Sequence, residues 1–117
     1  MKAVLLVAAG GALGSLARYA LTFVTSDSAA ATLNANLIGV ALAGYLLILL
    51  DRRGNQNLRW FLLPGFCGGM TTFSAVTIEV VGENAQGFGY LVLTAVASLI
   101  TIVIAIAYGR ATIKVKQ

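Results

Sequence analysis

The strongest constraint on this chain is an apolar segment long enough to cross a bilayer that cannot run through it as one plain helix. Residues 60–81 contain Gly65-Phe66-Cys67-Gly68-Gly69-Met70-Thr71-Thr72-Phe73-Ser74, three glycines in five residues followed by a cluster of hydroxyls. Pro64, the only proline, stands just ahead and removes a backbone donor. Backbone freed from helical bonding cannot face lipid, so at membrane depth it is buried in protein or lines a polar cavity. The spacing predicts two half-helices and a functional break near the midplane.

Three further stretches have span length: residues 3–24, 31–50 and 90–108. At ~1.5 Å per residue, the twenty uncharged residues 31–50 cover the ~30 Å hydrocarbon core. With 59% apolar and 10% charged residues, and a mean hydropathy of +0.90, residues 1–117 read as a single four-span membrane domain. The amino-terminal apolar stretch merges into the first span and does not read as a cleaved signal. One cysteine, Cys67, allows no intrachain disulfide. The absence of histidine removes the usual zinc and general-base constellations, and the chain reads as no enzyme. The net charge of +4 does not point to nucleic acid, because the bases fall in loops and ends.

The polar residues inside the spans form a short inventory. Arg18 interrupts the first span near its end, where it either snorkels to the interface or attracts anions into a vestibule. Its neighbours Gly10, Gly11 and Gly14 make a small face that admits another helix closely. In the second span Thr32 and Asn36 share a face, and an amide offers two donors to a partly dehydrated anion. The third span carries Thr71, Thr72 and Ser74, then runs on to Glu79 and Glu83. In the fourth, Thr94, Ser98 and Thr101 lie on one helical stripe. The segments Asp51 to Asn57 and Gly82 to Gly87 read as polar loops.

Four spans put both termini and the middle loop on one side, which then holds Lys2, Arg52, Arg53, Arg59, Arg110, Lys114 and Lys116. By the positive-inside rule both termini are expected in the cytoplasm, in a multi-pass plasma-membrane protein of fixed orientation. Donors without a mid-span carboxylate suit an anion, and the ring edge of Phe73 adds positive partial charge. The hydroxyls by themselves do not separate chloride from fluoride. A small multidrug-type antiporter subunit would need an embedded acid, and a noncatalytic assembly subunit would use its polar groups only to hold helices together.

The runs Gly10-Gly11-Ala12-Leu13-Gly14-Ser15-Leu16-Ala17-Arg18-Tyr19, Asn36-Leu37-Ile38-Gly39 and Gly65 through Ser74 resemble, in order, the three signatures of the small fluoride channels of the Fluc or CrcB family. The resemblance implies an all-α antiparallel dimer of four-span subunits, with the third span of each broken. It would pass fluoride out of the cytoplasm passively. It implies a fluoride pathway at Asn36, Phe73 and Ser98, to which the polar inventory adds Thr32, Thr72, Ser74, Thr94 and Thr101. It also implies a vestibule at Arg18 and a central structural sodium ion held by the Gly68 and Thr71 carbonyls. Two positions depart from the family pattern: Val76 stands where a second phenylalanine is usual, and Ile102 where a second hydroxyl is usual. Together with the charge bias, these departures favour pairing with an oppositely oriented homologue over a homodimer.

Overall fold

The computed structural model describes residues 1–82 and 85–114. Its elements are α1 (Lys2–Val24), α2 (Ser28–Arg53), α3 (Gln56–Trp60), a π-helical segment (Phe61–Cys67), α4 (Gly68–Met70), α5 (Phe73–Gly82) and α6 (Ala85–Thr112). Four stretches are long and apolar enough to span a membrane: Lys2–Val24, Ser28–Arg53, Gln56–Gly82 and Gly87–Thr112. Glu83 and Lys116 lie outside the described residues, as does part of the expected loop from Gly82 to Gly87.

α2 outruns its apolar stretch because both its ends are capped, and α3 has a polar cap of its own. Asp27 accepts a hydrogen bond from Ala30 N at 2.8 Å and starts α2 ahead of its apolar run. Gly54, at φ 68, closes α2 with its N–H on the Leu50 carbonyl at 2.9 Å. Asn55 then accepts from Leu58 N at 3.0 Å and opens α3 at once. The expected loop from Asp51 to Asn57 is thus only Gly54 and Asn55 outside helix. Arg59 pairs with Asp51 across this corner. At the opposite end, Ser28 Oγ donates to Glu79 Oε1 at 2.6 Å and Tyr90 Oη to the Ala29 carbonyl at 2.8 Å. These contacts put the start of α2, the end of α5 and the start of α6 together, as four successive crossings require.

The glycines of the third span do not break it. Gly65, Gly68 and Gly69 are all helical, and the only positive-φ glycine among the described residues is Gly54. Their service is close packing. A Cβ on Gly10 or Gly14 would overlap the Phe61 or Phe66 carbonyl oxygen, and one on Gly69 would overlap the backbone of Gly11. Two backbones therefore touch along α1 and the π segment, as small residues allow in membranes. Ser15 Oγ bonds the Gly69 carbonyl at 3.3 Å across the seam. Pro64 lies inside the π turns, where its missing N–H is absorbed by wider winding.

The interruption falls instead at Thr71 and Thr72, with Thr71 extended at φ -80, ψ 148. α2 is the central element and buries Ala31, Ala35, Asn36, Gly39, Gly44, Ile48 and Leu50. On its other flank Gly44 approaches Ala105 and Ile102 of α6. Ile102 thus packs between helices.

Candidate functional site

The break is held open by one side chain. Asn36 is 6% exposed, and its Oδ1 accepts from Thr72 N at 2.7 Å while its Nδ2 donates to Thr72 O at 3.0 Å. The backbone fixes which way the amide points, because a flipped amide would face donor with donor and acceptor with acceptor. In a continuous helix the Thr72 N–H would bond the Gly68 carbonyl; here Asn36 takes it. Likewise the Ala75 N–H, due to the Thr71 carbonyl, bonds Thr72 Oγ1 at 3.3 Å, and this starts α5. The break thus deprives the Gly68 and Thr71 carbonyls of their in-helix partners. Thr71 stays tied to the upstream half, with its N–H and Oγ1 both on the Cys67 carbonyl at 3.0 and 3.1 Å.

A cavity of about 280 Å³ opens beside the break. Asn36 and Val40 line it from α2, Thr71 and Thr72 from the break, Phe73 and Val76 from α5, and Leu91, Thr94, Ala95 and Ser98 from α6. Val40 follows Asn36 by one helical turn and Leu91 precedes Thr94 by three residues, so the 3.6-residue period could have named both apolar liners. Val76 is 1% exposed and forms part of the wall. Phe73 is 70% exposed and leaves the cavity open to the outer face of the subunit.

The other sequence-derived residues distribute unevenly. Ser74 is exposed and shares a 3.1 Å hydrogen bond with Thr72 Oγ1. Thr32 lies one turn before Asn36, half-buried and not among the cavity-lining residues. Thr101 faces a separate groove with Ala41, Leu42 and Tyr45. Arg18 is half-buried on α1 and makes no ion pair among the described residues.

Chemically the cavity is a donor site. Asn36 keeps one N–H beyond the one spent on Thr72, fewer than the two expected of a free amide. Thr94 Oγ1 is buried and makes no hydrogen bond of good geometry; its polar neighbour is the Tyr90 hydroxyl, which already donates to the Ala29 carbonyl, so the Thr94 hydroxyl is at most weakly engaged. Among the described residues no carboxylate lines the cavity, and Glu79 is held at the span end by Ser28. Among the described residues no group of histidine, cysteine or acidic side chains could hold a metal. Oxygen ligands for a hard cation are nevertheless present in the carbonyls at the break.

The family model for CrcB-like protein, Camphor Resistance (CrcB), matches residues 5–110. The chain belongs to the CrcB-like family. Relatives in this family include the fluoride-specific ion channel FluC of Paracoccus denitrificans (strain Pd 1222), 40% identical over 89% of this chain and 91% of the relative. The protein of the same name from Desulfotalea psychrophila (strain LSv54 / DSM 12343) is 42% identical over 78% and 79%. That from Rhizobium meliloti (strain 1021) is 33% identical over 97% and 100%. As a CrcB-like chain it spans from 79% to 100% of the length of these three relatives.

Proposed function

We propose that this chain is a subunit of a fluoride channel that lets the anion leave the cytoplasm down its electrochemical gradient. The observation that carries this reading is the Asn36 clamp on Thr72, which turns the third span onto a cavity with unspent donors and no acid. A small anion entering a membrane must exchange hydration for N–H and O–H groups, since an isolated ion in low dielectric is penalised severely. The spare Asn36 N–H and the hydroxyls of Thr94 and Ser98 are available for that exchange, and the Thr72 hydroxyl joins them when Ser74 donates the bond the two share. The edge of Phe73 adds positive partial charge at the mouth. Thr32 and Ser74 extend the polar route, and Arg18 draws anions toward it; Thr101, which faces the separate α2–α6 groove, is left out of that route. A small multidrug-type antiporter is disfavoured by the lack of a mid-span carboxylate.

The conducting unit in this reading is an antiparallel dimer. The exposed ring of Phe73 and the outward-facing Gly68 leave the break unfinished on the side where a second subunit would lie. A structural sodium ion would be held by the Gly68 and Thr71 carbonyls of both subunits and would supply positive charge that satisfies the freed carbonyls. The basic side, with Lys2, Arg52, Arg53, Arg59, Arg110 and Lys114, is assigned to the cytoplasm. The partner is an oppositely oriented homologue, an assignment supported by the charge bias and by Val76 at a customary aromatic position.

Liposome efflux tests both parts. Purified alone, the chain should give little fluoride efflux; co-expressed with an oppositely biased homologue, it should give rapid efflux. Brisk efflux from the single chain would refute the heterodimer, and no fluoride flux from either preparation would refute the channel. Thr94→Val should leave stability unchanged or raise it by about 1 kcal/mol, because it removes a buried hydroxyl that is at most weakly engaged. Efflux through the assembled channel should nonetheless fall severalfold. Unchanged efflux would take Thr94 out of the pathway.

A further inference from the structure

A second site lies at the other end of the molecule, where α2 and α6 both finish. Arg52, Arg53 and Lys114, with Thr112, surround a cavity of about 680 Å³ that is floored by Tyr45 and Ile113. Asp51, the chain neighbour of Arg52, is committed to Arg59, and no other ion pair occurs among the described residues. Each helix C-terminus contributes roughly -0.5 of a charge, so three cations over two such ends leave roughly two positive charges without a counterion. An anion of the phosphate class fits this excess.

The cavity also has a tail. Tyr45 is shared with a groove of about 470 Å³ that continues along the α2–α6 seam toward the membrane interior, lined by Ala41, Leu42, Ile104, Ala105 and Tyr108. That groove is apolar apart from Thr101 and the tyrosine hydroxyls. A basic mouth at the interface opening onto an apolar trough in the core matches one kind of molecule, an anionic phospholipid with its headgroup at the mouth and an acyl chain in the trough. We propose that the α2–α6 seam is a specific binding site for an anionic phospholipid of the leaflet on the side of the termini. The basic mouth shares no lining residue with the Asn36 cavity, and the proposal does not depend on what that cavity conducts.

Native mass spectrometry of the delipidated full-length chain tests this, with phosphatidylglycerol, phosphatidylcholine and glycerol phosphate as probes. Phosphatidylglycerol should bind at least tenfold more tightly than phosphatidylcholine. Each cation removed should weaken it roughly fivefold, so R52Q/R53Q/K114Q should bring the two lipids close to parity. Lys114→Gln alone lies beyond the last helical turn and should give the intermediate loss without risk to insertion. Equal binding of the two lipids, or an undiminished preference in the variants, would overturn the proposal. Glycerol phosphate binding as tightly as the lipid would replace it with a free-phosphate site. A disulfide forming between copies at Leu42→Cys would put a second subunit in the trough and overturn it as well.

Discussion

Gly14→Ala should cost roughly 3 kcal/mol, at the top of the range for overpacking a close-fitted interior, and leave little monodisperse protein after detergent extraction. The added Cβ would overlap the Phe66 carbonyl oxygen and stand 2.8 Å from Met70 N. Both are backbone atoms, so no side chain can swing aside, and α1 must retreat from the third span. The retreat would also loosen the neighbouring contacts at Gly10 and Gly69. Gly89→Ala is the control, because a Cβ there meets nothing within 4 Å; it should be neutral or stabilise by up to about 1 kcal/mol through helix propensity. Thermal unfolding of the two variants in detergent checks the pair. Equal midpoints would show that the glycine seam does not determine stability.

Asn36→Ala should reduce fluoride efflux of the assembled channel at least a hundredfold while destabilising the subunit by about 2 kcal/mol. It removes both hydrogen bonds to Thr72 and frees the Thr72 N–H to return to the Gly68 carbonyl, so that the third span can rewind across its break. The cavity then loses its amide donor and the open backbone together. Asn36→Asp keeps an acceptor for the Thr72 N–H but loses the donor to the Thr72 carbonyl and adds negative charge to an anion route. Efflux should therefore stay low even if folding is largely kept. Wild-type flux from either variant would mean that the clamp neither shapes nor lines the pathway.

The spans were legible because their signal is additive: hydropathy accumulates over some twenty residues whatever they touch, and all four stretches expected from composition are present. Their ends were less legible. Asp27, Asn55 and Gly54 act through single hydrogen bonds or one dihedral, and these extend or start helices in stretches that read as polar loop. The cavity was partly legible. Asn36, Thr72, Phe73, Thr94 and Ser98 converge on it, whereas Thr101, on the same nominal stripe as Thr94, lies roughly 10 Å farther along the helix axis and lines another groove.

What residue types and their order settle here is membrane residence, four crossings, a polar third span and the placing of bases on the side of the termini. What they leave to tertiary structure is where the third span opens. Glycine has no conformation of its own to impose, and its effect comes from the atoms that fill the space where a Cβ would be. In this chain those atoms belong to α1, so Gly65 and Gly69 stay helical and pack. The break goes to Thr72 because Asn36, thirty-six residues away in sequence, supplies a donor and an acceptor that compete with the helix for the same peptide groups. A long-range exchange of hydrogen bonds in a low-dielectric interior is decided by which partner arrives in reach, and only the folded chain brings that partner there.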